Sequence, residues 1–276
     1  MVIDCHCHAG AGDGLTGPWD TRAPLKDYFQ RAAAAGIDRT VLFAAFHSDY
    51  AAANRDVAEM VRRSQGRCYG FAFIDPARNR GRVFEMVRTA VEQYGFVGIK
   101  VHRHEARITR EVCEAAQAFG LPVLYDVMGE VWTCELLAEE YPRVQFIIPH
   151  LGTFANDWRA QLALIDHLAR HPNMHCDTSG VQRFDLLAQA VRRAGAHKVL
   201  FGSDGPWLHP GVELQKVRLL GLTDDQEALV LGGNFLRLIA AVRRTALARP
   251  ASPAAPPLAA VVQEEAADPW DLSRGH

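Results

Sequence analysis

Short apolar runs rich in β-branched and aromatic residues alternate with longer stretches of helical periodicity from the first residues to about residue 240. Such alternation predicts repeated strand–helix units around a parallel sheet. Strands are expected at Val2–Cys7, Thr40–Ala45, Cys68–Ile74, Val97–Val101, Pro122–Asp126, Gln145–Pro149, Asn173–Asp177 and Val199–Ser203. Eight parallel strands close on themselves, so the expected fold class is a single α/β domain, a (β/α)8 TIM barrel.

Amphipathic or Ala/Leu-rich helices are expected between the strands, at Leu25–Ala35, Ala51–Ser64, Arg80–Tyr94, Arg110–Phe119, Thr133–Tyr141, Trp158–Arg170 and Asp185–Ala194. Gly36, Gly66, Gly95, Gly120, Pro142, Pro172 and Gly195 stand where these helices must stop. Asp224–Val242 reads as one or two closing helices, with Thr223 or Asp224 as N-cap. From about Thr245 the chain turns to Ala and Pro with few large apolar residues. The expected organisation is therefore a barrel over residues 1–244 and a flexible tail over 245–276, a docking segment through Trp270 and Leu272 being the alternative.

Composition narrows the partners. The chain has 276 residues, 49% hydrophobic and 22% charged, and a formal net charge of -2. That balance is ordinary for a globular protein and offers no basic footprint for nucleic acid or an anionic membrane surface. The N-terminus MVIDCHCHAG reads as a buried strand rather than a secretory signal, and no apolar run approaches the length of a membrane span. A cytoplasmic protein acting on a small-molecule substrate is expected, as a homodimer by the base rate of such barrels. The six cysteines lack a CxxC pair and read as small buried hydrophobes rather than disulfides.

In a barrel the chemistry lies at the C-terminal ends of the strands. Those places carry His6 and His8, His47, Asp75, Lys100 and His102, Asp126, His150, Asp177 and Asp204, nearly all ionisable or metal-binding. Side chains two apart on a strand share a face, so Asp4, His6 and His8 are expected to point the same way, with Cys5 and Cys7 turned to the surrounding helices. Two imidazoles so placed chelate one divalent ion such as zinc. Asp204, in VLFGSDGPW, neighbours the first strand once the sheet closes, and is a ligand, a proton acceptor or both. Its bland reading is a turn aspartate before Gly205-Pro206. His150, in FIIPHLG, leaves an apolar strand before a glycine turn and is a candidate acid, base or ligand.

His6-x-His8, GIKVH at Gly98–His102, PVLYD at Pro122–Asp126, FIIPHLG at Phe146–Gly152, NMHCDTSG at Asn173–Gly180, VLFGSDGPW at Val199–Trp207 and LGGNFLRL at Leu231–Leu238 follow one another in order. Together they resemble the motifs of the amidohydrolase-related family over about residues 1–240. That family holds metal-dependent hydrolases and nonoxidative decarboxylases acting on aminocarboxymuconate semialdehyde and resorcylates. The resemblance implies that His6 and His8 are metal ligands, Asp204 a ligand or proton acceptor, and His150 catalytic or metal-adjacent. It also exposes a departure. The fifth-strand motif usually ends in a metal-binding histidine, and here that place holds Asp126, which is expected to serve as a carboxylate ligand. Lys100 resembles the carbamylated lysine of two-metal amidohydrolases; the simpler expectation is an ion pair with Asp126 or Asp204 and a single metal.

The expected cofactor is one divalent metal, Zn2+ first and Mn2+ second. The expected reaction is hydrolysis of a small amide, ester or lactone by water activated on the metal, with Asp204 and His150 catalytic. The alternatives are nonoxidative decarboxylation of a small aromatic or enoic acid on the same residues, and a catalytically silent binding barrel. Substrate contacts are expected from Lys100, His102, His47, Arg183 and Trp207, the cations suiting a carboxylate and the aromatics a planar ring. The Gly-rich loop Ala9–Thr21 is a candidate lid.

Overall fold

The computed structural model describes residues 1–16, 21–154 and 157–242. The expected tail from residue 245 lies outside them. The described chain forms one nine-stranded sheet. Its strands are β1 (Ile3–Ala11), β2 (Arg22–Ala23), β3 (Arg39–Ala44), β4 (Cys68–Phe73), β5 (Gly98–His102), β6 (Val123–Asp126), β7 (Phe146–Ile148), β8 (Met174–Asp177) and β9 (Val199–Leu200). All pair in parallel and in chain order except β2, two residues that fold back antiparallel on the end of β1.

The eight parallel strands correspond to the eight expected from the apolar runs. Closure is made just beyond the two residues of β9: Cys5 N–H donates to the Phe201 carbonyl at 3.0 Å and His8 N–H to the Gly205 carbonyl at 2.7 Å. The strand expected over Val199–Ser203 is shorter, only Val199–Leu200, and the residues after it form the seam that returns to β1.

The helices are α1 (Leu25–Ala35), α2 (Tyr50–Arg63), α3 (Val83–Glu92), α4 (Arg110–Phe119), α5 (Thr133–Glu140), α6 (Trp158–Arg170), α7 (Phe184–Ala194), α8 (Pro210–Arg218), α9 (Asp224–Ala228) and α10 (Asn234–Ile239). In α4 the buried positions are Val112, Cys113, Ala115 and Ala116, the spacing of one helical face laid on a sheet. Gly36 ends α1 at φ 78, a left-handed turn that a residue with a Cβ resists. Asp49 and Asp157 cap α2 and α6 by accepting from backbone N–H groups of the first turn. Thr223 caps α9 in a capping box with Gln226, as expected, and the chain then runs through a π turn at Leu229–Gly233 into α10. The helix α8 was not anticipated. Its signal was Pro210 at the first turn after His209, whose side chain accepts from Gly211 N–H.

At the N-terminal ends of the strands, two buried asparagines tie elements together. The Asn173 amide faces the carbonyls of Ala138, Tyr141 and Val144, and the Asn234 amide those of Ala196 and Val199. That end is a structural clamp; the opposite mouth carries the ionisable groups. All six cysteines are buried and unpaired. No helix among the described residues is long and apolar enough to cross a membrane.

Candidate metal centre

The first strand does not keep the simple alternation expected of it. Asp4 pairs with Thr40 and Cys7 with Leu42, so β1 spends three steps where β3 spends two. This bulge re-aims the residues beside it. Asp4 turns away from its expected partners and receives hydrogen bonds from Tyr28 Oη at 2.7 Å, from Ser203 N–H at 2.9 Å and from the Ser203 hydroxyl. Burial pushes its carboxyl up to about 6 in spite of these donors. His6 and His8 together face the opposite way, towards Asp204. The expected His-x-His pair thus stands, without Asp4 on its face.

Three side chains converge there. Ligand atoms of His6, His8 and Asp204 lie within 4.8 Å of one another. Asp204 Oδ1 is 3.3 Å from His6 Nε2 and 3.6 Å from His8 Nε2. The other ring nitrogens are already committed. His6 Nδ1 stands 2.7 Å from Asp177 Oδ2, and His8 Nδ1 stands 3.1 Å from the Ala44 carbonyl. Both of those oxygens only accept, so each Nδ1 carries the proton and each Nε2 presents its lone pair to the centre. Burial, with help from Lys100 and His6, drives the His8 pKa well below its ordinary value, which keeps that ring neutral. Asp204 is held far below the usual carboxylate range by His6, His150 and His8 despite its burial.

The Nε2 atoms of two imidazoles and an ionised carboxylate therefore meet at one point, and among the described residues His6 Nε2 is buried without a hydrogen-bond partner. Buried acceptors gathered in this way suit a cation, and the N2O donor set matches a borderline divalent ion. The residues present fit the metal that the sequence implies, and His6, His8 and Asp204 are the ones that would hold it.

The backbone is shaped for the centre. Asp204 sits at φ 58, His150 at φ 58 and Leu151 at φ 52, left-handed conformations that cost non-glycine residues about 1–3 kcal/mol each. Gly202 stands beside them because a Cβ there would lie 3.0 Å from His6 Cβ and 3.1 Å from Asp177 Cγ. The missing side chain leaves room for the chain after β9 to pass close to the His6–Asp177 pair.

Next to the three ligands lies a second group. His150 Nδ1 donates to the Ser179 carbonyl at 2.8 Å, its backbone N–H donates to Asp177 Oδ1 at 3.0 Å, and its ring centre is 5.1 Å from that of His6. Its Nε2 is 3.5 Å from Asp126 Oδ2. His102 Nε2 is 3.1 Å from the same Oδ2, while Asp126 Oδ1 accepts from Met128 N–H at 2.8 Å. Burial works against the charged form of His150, but Asp126, Asp204 and Asp177 outweigh it and raise its pKa to about 9.

The sequence profile described as amidohydrolase matches residues 3–239. The chain belongs to the amidohydrolase family. Among solved structures it resembles 5-carboxyvanillate decarboxylase from Sphingomonas paucimobilis, at 16% identity and a TM-score of 0.68, over 86% of this chain and 98% of the other. It also resembles a dihydroxybenzoic acid decarboxylase from a Polaromonas species with bound manganese and the inhibitor 2-nitroresorcinol, at 17% identity and a TM-score of 0.63, covering 86% and 96%. A third is a probable 2-pyrone-4,6-dicarboxylic acid hydrolase from Acinetobacter baumannii, at 16% identity and a TM-score of 0.67, covering 86% and 98%. At these identities the likeness is one of fold, the TIM barrel of the family. No curated protein matches the sequence.

In this amidohydrolase the other expected residues fall in different places. Lys100 is fully buried and, contrary to the expected ion pair, its Nζ finds no hydrogen-bond partner among the described residues; it lies 5.0 Å from the centre of the Phe43 ring. His102 packs edge-on against Phe46 as well as facing Asp126. Trp207 packs at a tilt on His8, ring centres 4.5 Å apart, and donates its indole N–H to the Arg22 carbonyl, which puts an aromatic wall on the centre. Arg183 gives its guanidinium to Asp185, and His47 Nδ1 accepts from Asp49 N–H beside Asp13. Asp177, placed at a strand end by the sequence but given no role, and Ser179, not singled out, both join the site. Asp177 orients His6, and Ser179 places its hydroxyl 2.6 Å from Asp177 Oδ1, 3.0 Å from His150 Nδ1 and 3.2 Å from His6 Nδ1. Their signal was the NMHCDTSG motif, which marks a strand end without revealing that its carboxylate faces another strand's histidine.

Proposed function

We propose that this amidohydrolase is a metal-dependent carboxy-lyase that removes carbon dioxide from a small aromatic or enoic acid. The observation that carries the reading is His150. Its Nδ1 proton is fixed on the Ser179 carbonyl at 2.8 Å, its Nε2 faces Asp126 Oδ2 at 3.5 Å, and the surrounding carboxylates raise its pKa, so the ring is placed to carry a proton and hand it on. Replacing a carboxylate by hydrogen on carbon needs such a donor. A divalent cation, Zn2+ or Mn2+, would supply positive charge to stabilise the electrons of an anionic substrate. His6, His8 and Asp204 would hold it. His150 then gives its proton to the carbon that loses carbon dioxide, and regains one from solvent. Trp207, packed on His8, offers apolar surface on that face suited to a planar ring.

Hydrolysis of an amide, ester or lactone is the second reading. It is favoured by Asp204, whose carboxylate stays ionised and can take a proton from attacking water. Protein loaded in turn with Zn2+ and Mn2+ and incubated with 2,6-dihydroxybenzoate, 5-carboxyvanillate and a lactone panel separates the two. Carbon dioxide release without water uptake supports the lyase; ring opening of a lactone with no carbon dioxide sinks it. A protein that takes up no metal and turns over nothing would be the silent barrel.

A further inference from the structure

The position that the family's fifth strand gives to a metal-binding histidine is filled by Asp126, and the structure uses that carboxylate elsewhere. Each of its oxygens is engaged. Oδ1 accepts from Met128 N–H at 2.8 Å, which anchors the carboxylate to its own backbone turn, and Met128 adopts φ 48 to make that turn. Oδ2 faces two imidazoles, His102 Nε2 at 3.1 Å and His150 Nε2 at 3.5 Å. The protons are assigned by the far side of each ring. His102 Nδ1 accepts from His104 N–H at 3.0 Å, so the His102 proton is on Nε2 and points at Asp126. His150 Nδ1 donates to the Ser179 carbonyl, so its Nε2 is the nitrogen turned to the same oxygen. Asp126 is buried, and its carboxyl is held well below the usual range, against burial, by His102 and His150. Among the described residues the one group able to gather three ligand atoms is His6, His8 and Asp204, without Asp126.

The geometry points to Asp126 as a positioning residue rather than a ligand: clamped by His102 and the Met128 N–H, it aims its second oxygen at His150, and the cation is held by His6, His8 and Asp204 alone. This rests on the reading of those three as the cation site. It follows that the exchange of histidine for aspartate moves one protein ligand off the metal and gives the proton-donating histidine a fixed acceptor, with His102 as its brace. Two carboxylates at the mouth thus have different duties, Asp204 towards the cation and Asp126 towards imidazole.

The test is metal titration of the purified full-length apoprotein with Co2+, read both by calorimetry and by the visible spectrum of the bound ion, which reports its ligands directly. Wild-type protein is expected to bind one equivalent. Asp126→Asn is expected to keep the same spectrum and to weaken binding by no more than the about 10–100-fold that loss of an outer partner costs, whereas Asp204→Asn weakens it further. His102→Gln behaves like Asp126→Asn. A changed Co2+ spectrum, or a loss in Asp126→Asn beyond the about 10–100-fold of an outer partner, makes it a ligand and overturns the inference, and Asp126→His serves as the control that restores a ligand. Failure of the underlying site reading looks different: wild type itself would then bind no metal, or Asp204→Asn would bind as wild type does. Circular dichroism of each variant separates misfolding from loss of a ligand.

Discussion

Asp177 holds His6 from behind. Its Oδ2 lies 2.7 Å from His6 Nδ1, while Oδ1 accepts from the backbone N–H groups of His150 and Ser179 at 3.0 Å each. One carboxylate on β8 thereby fixes the ring on β1 that would meet the cation and the backbone of the histidine that would deliver the proton. Orientation of a ligand imidazole by a carboxylate is a recurrent device of metal sites, since it sets the tautomer and raises the basicity of the free nitrogen.

Replacing that carboxylate should therefore be felt at the metal. Asp177→Asn keeps an oxygen for the two backbone donors but loses the charge behind His6. Its affinity for Zn2+ is expected to fall about 10–100-fold with the fold retained. Competition against a chromophoric chelator measures it, and an unchanged affinity would mean that His6 does not bind the ion.

Cation removal should also be visible as stability. A metal that binds only the folded state adds about 2.7 kcal/mol at a free concentration a hundred times its Kd. Wild-type protein loaded with Zn2+ is expected to lose several degrees of Tm when EDTA is added. His8→Gln and Asp204→Asn should show no chelator-dependent shift. A shift of wild-type size in both variants would place the stabilising ion somewhere else.

The buried carboxyl of Asp4 predicts a pH dependence of opposite sign to that of the usual ion-paired aspartate. Its folded pKa of about 6 lies above the ordinary 3.8, so between those values the folded chain keeps a proton that the unfolded chain releases. Its contribution is greatest below about pH 4 and is lost as pH rises towards 6. Relative to Asp4→Asn, wild-type protein should lose on the order of 3 kcal/mol of stability between pH 4 and pH 7, as judged by urea unfolding of both. Parallel curves would contradict the burial assigned to this group.

The opposite end of the barrel should be separable from the chemistry. Asn173→Ala leaves the carbonyls of Ala138, Tyr141 and Val144 without their shared donor. The expected cost is about 1–3 kcal/mol of unfolding free energy with metal affinity unchanged. A variant of normal stability that binds metal poorly would reverse the assignment of the two ends.

Much of this protein is local enough to be read from the chain. Period-two and period-3.6 patterns depend on neighbours a few residues apart, so the eight strands, most of the helices and stops such as Gly36 are carried by the sequence itself. The residue types for the metal, His6, His8 and Asp204, are equally legible, because a strand end in a barrel has a known address. Tertiary structure decided their geometry. The bulge in β1 exists only against β3, and it is what parts Asp4 from His6 and His8. The duty of Asp126 follows from where His102 and His150 arrive, and Lys100 lacks the partner that its charge alone would suggest. Alternation along one strand is a property of the backbone, whereas the direction of a carboxylate is set by donors brought from other strands, and those distances do not exist until the sheet closes.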